Sequence, residues 1–165
     1  MKLRILSVFA AAALLAACET APDSSANSAG EGVSTTNQPA ATSSALSESS
    51  PEWFAVNVGD RVFFGFDKYD LSGEARRTLE LQSAWLKKYP QYKVVVEGHA
   101  DERGTREYNL ALGERRANSV KDYLVALGID PSRVETISYG KERPVALGHD
   151  EESWSKNRRS VSVIR

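Results

Sequence analysis

Three consecutive valines, Val94-Val95-Val96, run into the polar stretch His99-Ala100-Asp101-Glu102-Arg103-Gly104-Thr105, which opens a long periodic segment from about Arg106 to Leu127. An apolar strand that feeds a long helix through a charged loop constrains this chain more than any other feature, because strand and helix must then pack on one another. Polar groups at the carboxyl end of a strand, just before a helix N-terminus with unpaired N–H donors, are where open α/β sheets hold ligands.

The helix carries a readable face. Leu110, Gly113, Ala117, Val120, Leu124 and Leu127 recur at three and four spacing and predict its core stripe. Asn109 and Arg116 are seven residues apart and lie within about 20° of each other. Both fall roughly 50 to 70° from the middle of the stripe, on its rim, where a guanidinium lies against the fold and reaches a ligand above the loop. The Asp101 carboxylate and the Arg116 fork suit a ligand with an ammonium and a carboxylate close together. Spacing alone leaves a plain bridge between Asp101 and Arg116 equally open.

The rest of the folded part follows the same alternation. Arg61 to Phe66 has strand composition and ends in the polar turn Asp67-Lys68-Tyr69-Asp70. Ser72 is placed to cap a helix over 73–88, with Glu74 at its positive end, Ala75, Leu79 and Leu86 inward, and Pro90 as its stop. Tyr92 to Glu97 is the second strand, and Gly128 with Pro131 ends the long helix. Arg133 to Tyr139 and Arg159 to Ile164 supply the third and fourth strands, with a long loop between them. Two strand-helix-strand crossovers require at least part of the sheet to be parallel, while strand order stays open. The loops after the first and second strands can share one sheet end, which would bring Asp67 to the same site as Asp101.

Before this domain the composition changes. Lys2 and Arg4 precede the apolar run Ile5 to Ala17, a signal-like segment too short to span a membrane as a finished helix. Leu15-Ala16-Ala17-Cys18 resembles the lipobox of bacterial lipoproteins, with cleavage before Cys18 and a diacylglyceryl group on its thiol; an ordinary secretory signal is the alternative. Cys18 is the only cysteine, so no internal disulfide is possible. Residues 18–52 are rich in Ser, Ala and Thr and hold almost no large apolar groups, so they are expected to be an unfolded tether. About 34 such residues span roughly 30 to 35 Å on average and about 110 Å when pulled taut. Five of the 22 acids (Glu19, Asp23, Glu31, Glu48, Glu52) and none of the 21 bases lie in the tether; setting aside Lys2 and Arg4 leaves 17 acids and 19 bases in the domain from Trp53 to Arg165. A near-neutral chain argues against nucleic acid as partner, and the slightly basic domain suits an anionic ligand.

Catalytic readings find no support. No serine or cysteine stands in a nucleophile turn. Zinc on His99, Asp101, Glu102 and His149 lacks any recognisable ligand spacing, and the Asp67 turn lacks the acids of a calcium loop. No metal or cofactor is expected.

The run Val96-Glu97-Gly98-His99-Ala100-Asp101-Glu102-Arg103-Gly104-Thr105, with Glu107-Tyr108-Asn109 and Leu112-Gly113-Glu114-Arg115-Arg116-Ala117-Asn118, closely resembles the OmpA-like peptidoglycan-binding domain. Within that family the connection Tyr139 to Pro144, Gly148 to Glu151 and the run Asn157-Arg158-Arg159 resemble the peptidoglycan-associated lipoproteins. The resemblance covers about Arg61 to the C-terminus; Arg106 departs from it, standing where the family often has proline. It implies an α+β fold (an α/β sandwich): βαβαβ plus a final strand, a mixed four-stranded sheet with helices packed on one side. It also implies that Asp101 and Arg116 grip the amino and carboxylate groups of meso-diaminopimelate in the stem peptide of peptidoglycan, with Asn109, Phe66, Asp67 and His99 around them. It further implies an outer-membrane, periplasm-facing lipoprotein and a TolB-like periplasmic propeller protein as partner. Substituting Asp101 or Arg116 by alanine is expected to remove binding while the fold persists.

Overall fold

The computed structural model describes residues 46–165. Its elements are α1 (Pro51–Trp53), which continues as a π-helical turn (Phe54–Gly59), then β1 (Arg61–Phe63), α2 (Gly73–Lys88), β2 (Val94–His99), α3 (Arg106–Ala126), a 3-10 turn (Pro131–Arg133), β3 (Val134–Gly140), α4 (Glu151–Asn157) and β4 (Arg159–Ile164). The signal-like segment, Cys18 and the expected tether as far as residue 45 lie outside the described residues.

The strand order is β1-β4-β2-β3. β2 and β3 are parallel, as a crossover through α3 requires, and β4 runs antiparallel to both β2 and β1. The final strand therefore inserts between β1 and β2 and makes the mixed four-stranded sheet of an α+β fold. Side chains alternate across each strand, so Val62, Val94, Val96 and Val134 point to one face and are buried under Leu79 and Leu86 of α2 and Ala117, Val120 and Leu124 of α3. The other face leaves Phe63 52% and Ile137 40% exposed.

Local chemistry fixes the helices where the sequence puts them. Ser72 Oγ accepts the Ala75 N–H at 3.1 Å and starts α2. At the other end of α2 Trp85 packs against Phe54, Tyr89 and Tyr92, with ring centroids 4.9, 4.9 and 5.3 Å away. A buried indole N–H needs an acceptor, and Trp85 Nε1 donates to the Glu48 carbonyl at 2.9 Å. This bond, with Ser50 Oγ capping α1 at 3.1 Å, draws residues 48–52 onto the domain. The expected tether boundary at Glu52 therefore falls a few residues inside the packed chain. The acceptor for Trp85 comes from the backbone, and apolar content does not report it.

The face of α3 is corrected more strongly. Its buried residues are Asn109, Leu112, Gly113, Arg116, Ala117, Val120 and Leu124, while Leu110 is 42% exposed. Asn109 and Arg116 thus lie on the inward face and not on its rim. Backbone contact sets the rotation. A Cβ on Gly98 would lie 1.8 Å from the Gly113 carbonyl oxygen, so strand and helix meet there with no room for a side chain. Ser138 Oγ, from β3, donates to the Leu110 carbonyl at 2.6 Å on the adjacent side.

The long connection also differs from expectation. Asp150 accepts the Ser153 N–H at 2.8 Å and caps α4, a helix not anticipated between β3 and β4. Before it, Asn157 holds the loop with its amide. The Val145 and Ala146 N–H groups donate to Asn157 Oδ1 at 2.8 and 3.1 Å, and Asn157 Nδ2 donates to the Ala146 carbonyl at 2.7 Å.

Candidate functional site

The loops after β1 and β2 and the first turns of α3 enclose a cavity of about 180 Å³ lined by Phe66, Asp67, Asp101, Arg103, Gly104, Tyr108, Asn109, Leu112 and Arg116. Five of the six side chains singled out as ligand-binding, namely Asp101, Arg116, Asn109, Phe66 and Asp67, therefore meet at one place. His99 does not line it. Its ring is 2% exposed and packs against Tyr139 at 5.6 Å, and it contributes to the site only through its backbone carbonyl.

Arg116 is fully buried. Its Nε donates to the Lys68 carbonyl at 2.8 Å, one terminal nitrogen to the His99 carbonyl at 2.8 Å and the other to the Gly65 carbonyl at 3.1 Å. One guanidinium thus ties the loop after β1 to the end of β2. A guanidinium has five N–H donors, so two are not committed to these carbonyls, and Arg116 is among the residues that line the cavity. Burial lowers its pKa to about 10 even with Asp101 nearby, which leaves it charged at neutral pH. The expectation that Arg116→Ala leaves the fold intact is accordingly corrected: that change would remove three charge-assisted bonds to backbone carbonyls, one of them, to His99, fully buried.

Asp101 and Arg116 do not bridge each other. Asp101, 5% exposed, is held by Arg103. The Arg103 terminal nitrogen donates to Oδ2 at 2.7 Å, its Nε to Oδ1 at 3.3 Å and its backbone N–H to Oδ1 at 3.1 Å. Arg158 adds a contact at 3.4 Å and also donates to the Phe64 carbonyl and to Glu151. Burial alone would push the Asp101 carboxyl up, but the bonds from Arg103 outweigh it and hold the pKa below the usual carboxylate range. The cavity lining pairs two carboxylates, Asp67 and Asp101, with two guanidiniums, Arg103 and Arg116, a balanced set that suits a ligand bearing both an ammonium and a carboxylate.

The lip of the cavity is aromatic. Phe66 and Trp154 sandwich the Arg103 guanidinium at 4.1 Å each. Tyr108 donates its hydroxyl to Asp67, which keeps that hydroxyl protonated to higher pH. Asp67 itself has φ 55°, a left-handed conformation that aspartate tolerates better than most residues. Asn109 uses its amide nitrogen on the Arg103 and Thr105 carbonyls at 2.8 and 3.1 Å, and Thr105 Oγ1 caps α3 by accepting the Tyr108 N–H at 3.2 Å. Behind the loop, Glu102 accepts from His149 Nδ1 and Trp154 Nε1, each at 2.8 Å. The His149 bond lowers the Glu102 pKa and raises that of His149.

Sequence reading gave no ligand role to Arg103, Tyr108 or Trp154. Arg103 and Tyr108 lie within the quoted motif, so their presence was visible but their direction was not. Trp154 reaches the site only because α4 exists.

The chain matches the OmpA family over residues 63–158. It is 55% identical over 120 residues to the peptidoglycan-associated lipoprotein of Rhizobium meliloti, covering 73% of this chain and 68% of that one. To the protein of the same name from Agrobacterium fabrum it is 57% identical over 111 residues, 67% and 63% of the two chains. The crystal structure of the peptidoglycan-associated lipoprotein from Burkholderia pseudomallei superposes with a TM-score of 0.66 at 42% identity, covering 70% of this chain and 100% of that one. On this sequence and fold evidence the chain belongs to the OmpA family, in the branch that holds the peptidoglycan-associated lipoproteins.

Proposed function

We propose that this protein is a lipid-anchored, non-enzymatic clamp that holds the outer membrane to peptidoglycan by binding meso-diaminopimelate in the stem peptide. The observation that supports this reading most directly is the convergence of Asp101 and Arg116 on one small cavity whose lining pairs two carboxylates with two guanidiniums. Asp101 receives the ligand's ammonium, the two uncommitted N–H groups of Arg116 receive its carboxylate, and Phe66 and Tyr108 cover the methylene chain between them. Lipid on Cys18 and the Ser/Ala/Thr-rich tether complete the link from membrane to wall. Each charge-assisted contact contributes about 1.5 to 3 kcal/mol, so single sites are exchangeable, while confinement beside a polymer makes rebinding frequent.

Exchange matters for the second partner. A TolB-like propeller protein that uses an overlapping surface would compete with the wall for the clamp. Simultaneous, undiminished binding of both by the whole chain would refute that competition. The central reading is tested by calorimetric titration of the whole chain with muropeptide. The diaminopimelate form is expected to bind, and the lysine form, which lacks the second carboxylate, to bind at least tenfold more weakly. Equal affinity for the two forms would remove the proposed role of Arg116.

A further inference from the structure

Next to the cavity, on the other side of the Lys68-Tyr69 segment, lies a wider trough of about 550 Å³ lined by Tyr69, Asp70, Leu71, Arg76, Ser119, Asp122, Tyr123 and Ala126. The segment between the two depressions is held to α3 at both of its carbonyls. Arg116 Nε holds the Lys68 carbonyl at 2.8 Å and Ser119 Oγ holds the Tyr69 carbonyl at 2.8 Å. These two residues of α3 are one helical turn apart, a rise of about 4.5 Å. The cavity and the trough are therefore neighbours along both α3 and the loop after β1.

The lining of the trough has a distinctive chemistry. Asp70, Asp122 and Arg76 carry opposite charges in one trough, yet none enters an ion pair among the described residues. Tyr69 is 45% exposed, and Tyr123 donates its hydroxyl outward to Glu80 at 3.2 Å, leaving its ring beside the trough. Carboxylates that accept, a guanidinium that donates and aromatic faces for C–H packing are together what a neutral, hydroxyl-rich ring requires. A strongly charged segment of either sign would meet its own charge there.

We propose that this trough is a second subsite that binds the pyranose units of the glycan strand to which the stem peptide is attached. The proposal rests on the stem-peptide reading of the cavity, because it is the gripped peptide that brings the sugar alongside Tyr69 and Asp122.

The test compares the diaminopimelate stem peptide with the same peptide on its disaccharide, both titrated calorimetrically into the whole chain. The disaccharide is expected to raise affinity about three- to tenfold, the equivalent of one or two added hydrogen bonds. Tyr69→Ala and Asp122→Asn, both at exposed side chains, are each expected to erase that gain while leaving the affinity for the bare peptide unchanged. The subsite is overturned if the disaccharide adds nothing to wild-type affinity, or if either variant weakens both ligands equally. If no peptide binds at all, the stem-peptide reading falls and takes this one with it.

Discussion

Two ends of the molecule are built from different materials. Around Trp85 the structure is held by apolar contact, with Tyr92 stacked on the indole, Phe54 and Tyr89 tilted against it, and Leu79 and Leu86 fully covered. Around Arg116 the same degree of burial is reached with charge, and the guanidinium serves three backbone carbonyls. Arg133 does related work near the first region, donating to the Leu86, Tyr89 and Tyr92 carbonyls at 3.0, 3.3 and 2.7 Å. There, however, Arg133 enters no ion pair among the described residues. Apolar packing is cheap and non-directional, whereas a buried arginine fixes loops in defined positions and leaves charged donors facing a pocket. The difference separates a region that holds the fold from one that holds the fold and also presents a site.

That contrast is sharpest in paired substitutions. Trp85→Ala is expected to lower stability by about 3 to 5 kcal/mol, and Arg116→Ala by about 3 kcal/mol through the loss of three charge-assisted bonds, one of them to a buried carbonyl. Urea unfolding would place the two losses in a similar range, while titration of the surviving folded fraction with muropeptide would show binding retained in the first and absent in the second. Equal binding in both would erase the distinction between the regions.

Asp101→Asn is the next largest. It removes the charge that Arg103 and the buried Arg158 both face, and a stability loss of about 1.5 to 3 kcal/mol is expected together with loss of binding. Because the folded pKa of Asp101 is below its unfolded value, its contribution is present above about pH 4 and is lost as pH falls through the folded pKa. Acid unfolding curves of the variant should lack that part of the slope.

His99 gives a signature of the same sign at higher pH, away from the cavity. Burial first, then the nearby Arg159, Arg143 and Arg61, lower its pKa from 6.5 to about 4, so the folded ring is neutral. The unfolded state binds the extra proton first, and stability therefore declines as pH falls from about 6.5 to about 4. His99→Gln should flatten this window without altering peptide affinity at pH 7, and a change in that affinity would show that the ring acts on the cavity.

The smallest effect belongs to Arg106, the first residue of α3. Proline suits that position, and Arg106→Pro is expected to raise stability by about 0.5 kcal/mol, less whatever the exposed ion pair with Glu142 at 3.3 Å contributes. Thermal unfolding can resolve it, and a marked loss would mean that the Thr105 cap is disturbed.

The sequence by itself determined the chain order of the four strands with α2 and α3 between them, the Ser72 cap of α2, the β4 span from Arg159 to Ile164 and the stretch on which the site sits. These are local matters, set by periodicity, capping and turn chemistry within a few residues. Only the tertiary structure decided that Arg116 faces inward, because the rotation of α3 is fixed by the backbone contact of Gly113 with Gly98, two residues on different elements. Only it decided that Asp101 is held by Arg103 and Arg158 instead of Arg116, that His99 turns away from the cavity, and that Trp154 arrives on an unanticipated α4. Each of these depends on where separate segments meet in space, and side-chain direction at a meeting of segments is not encoded in the spacing of any one of them.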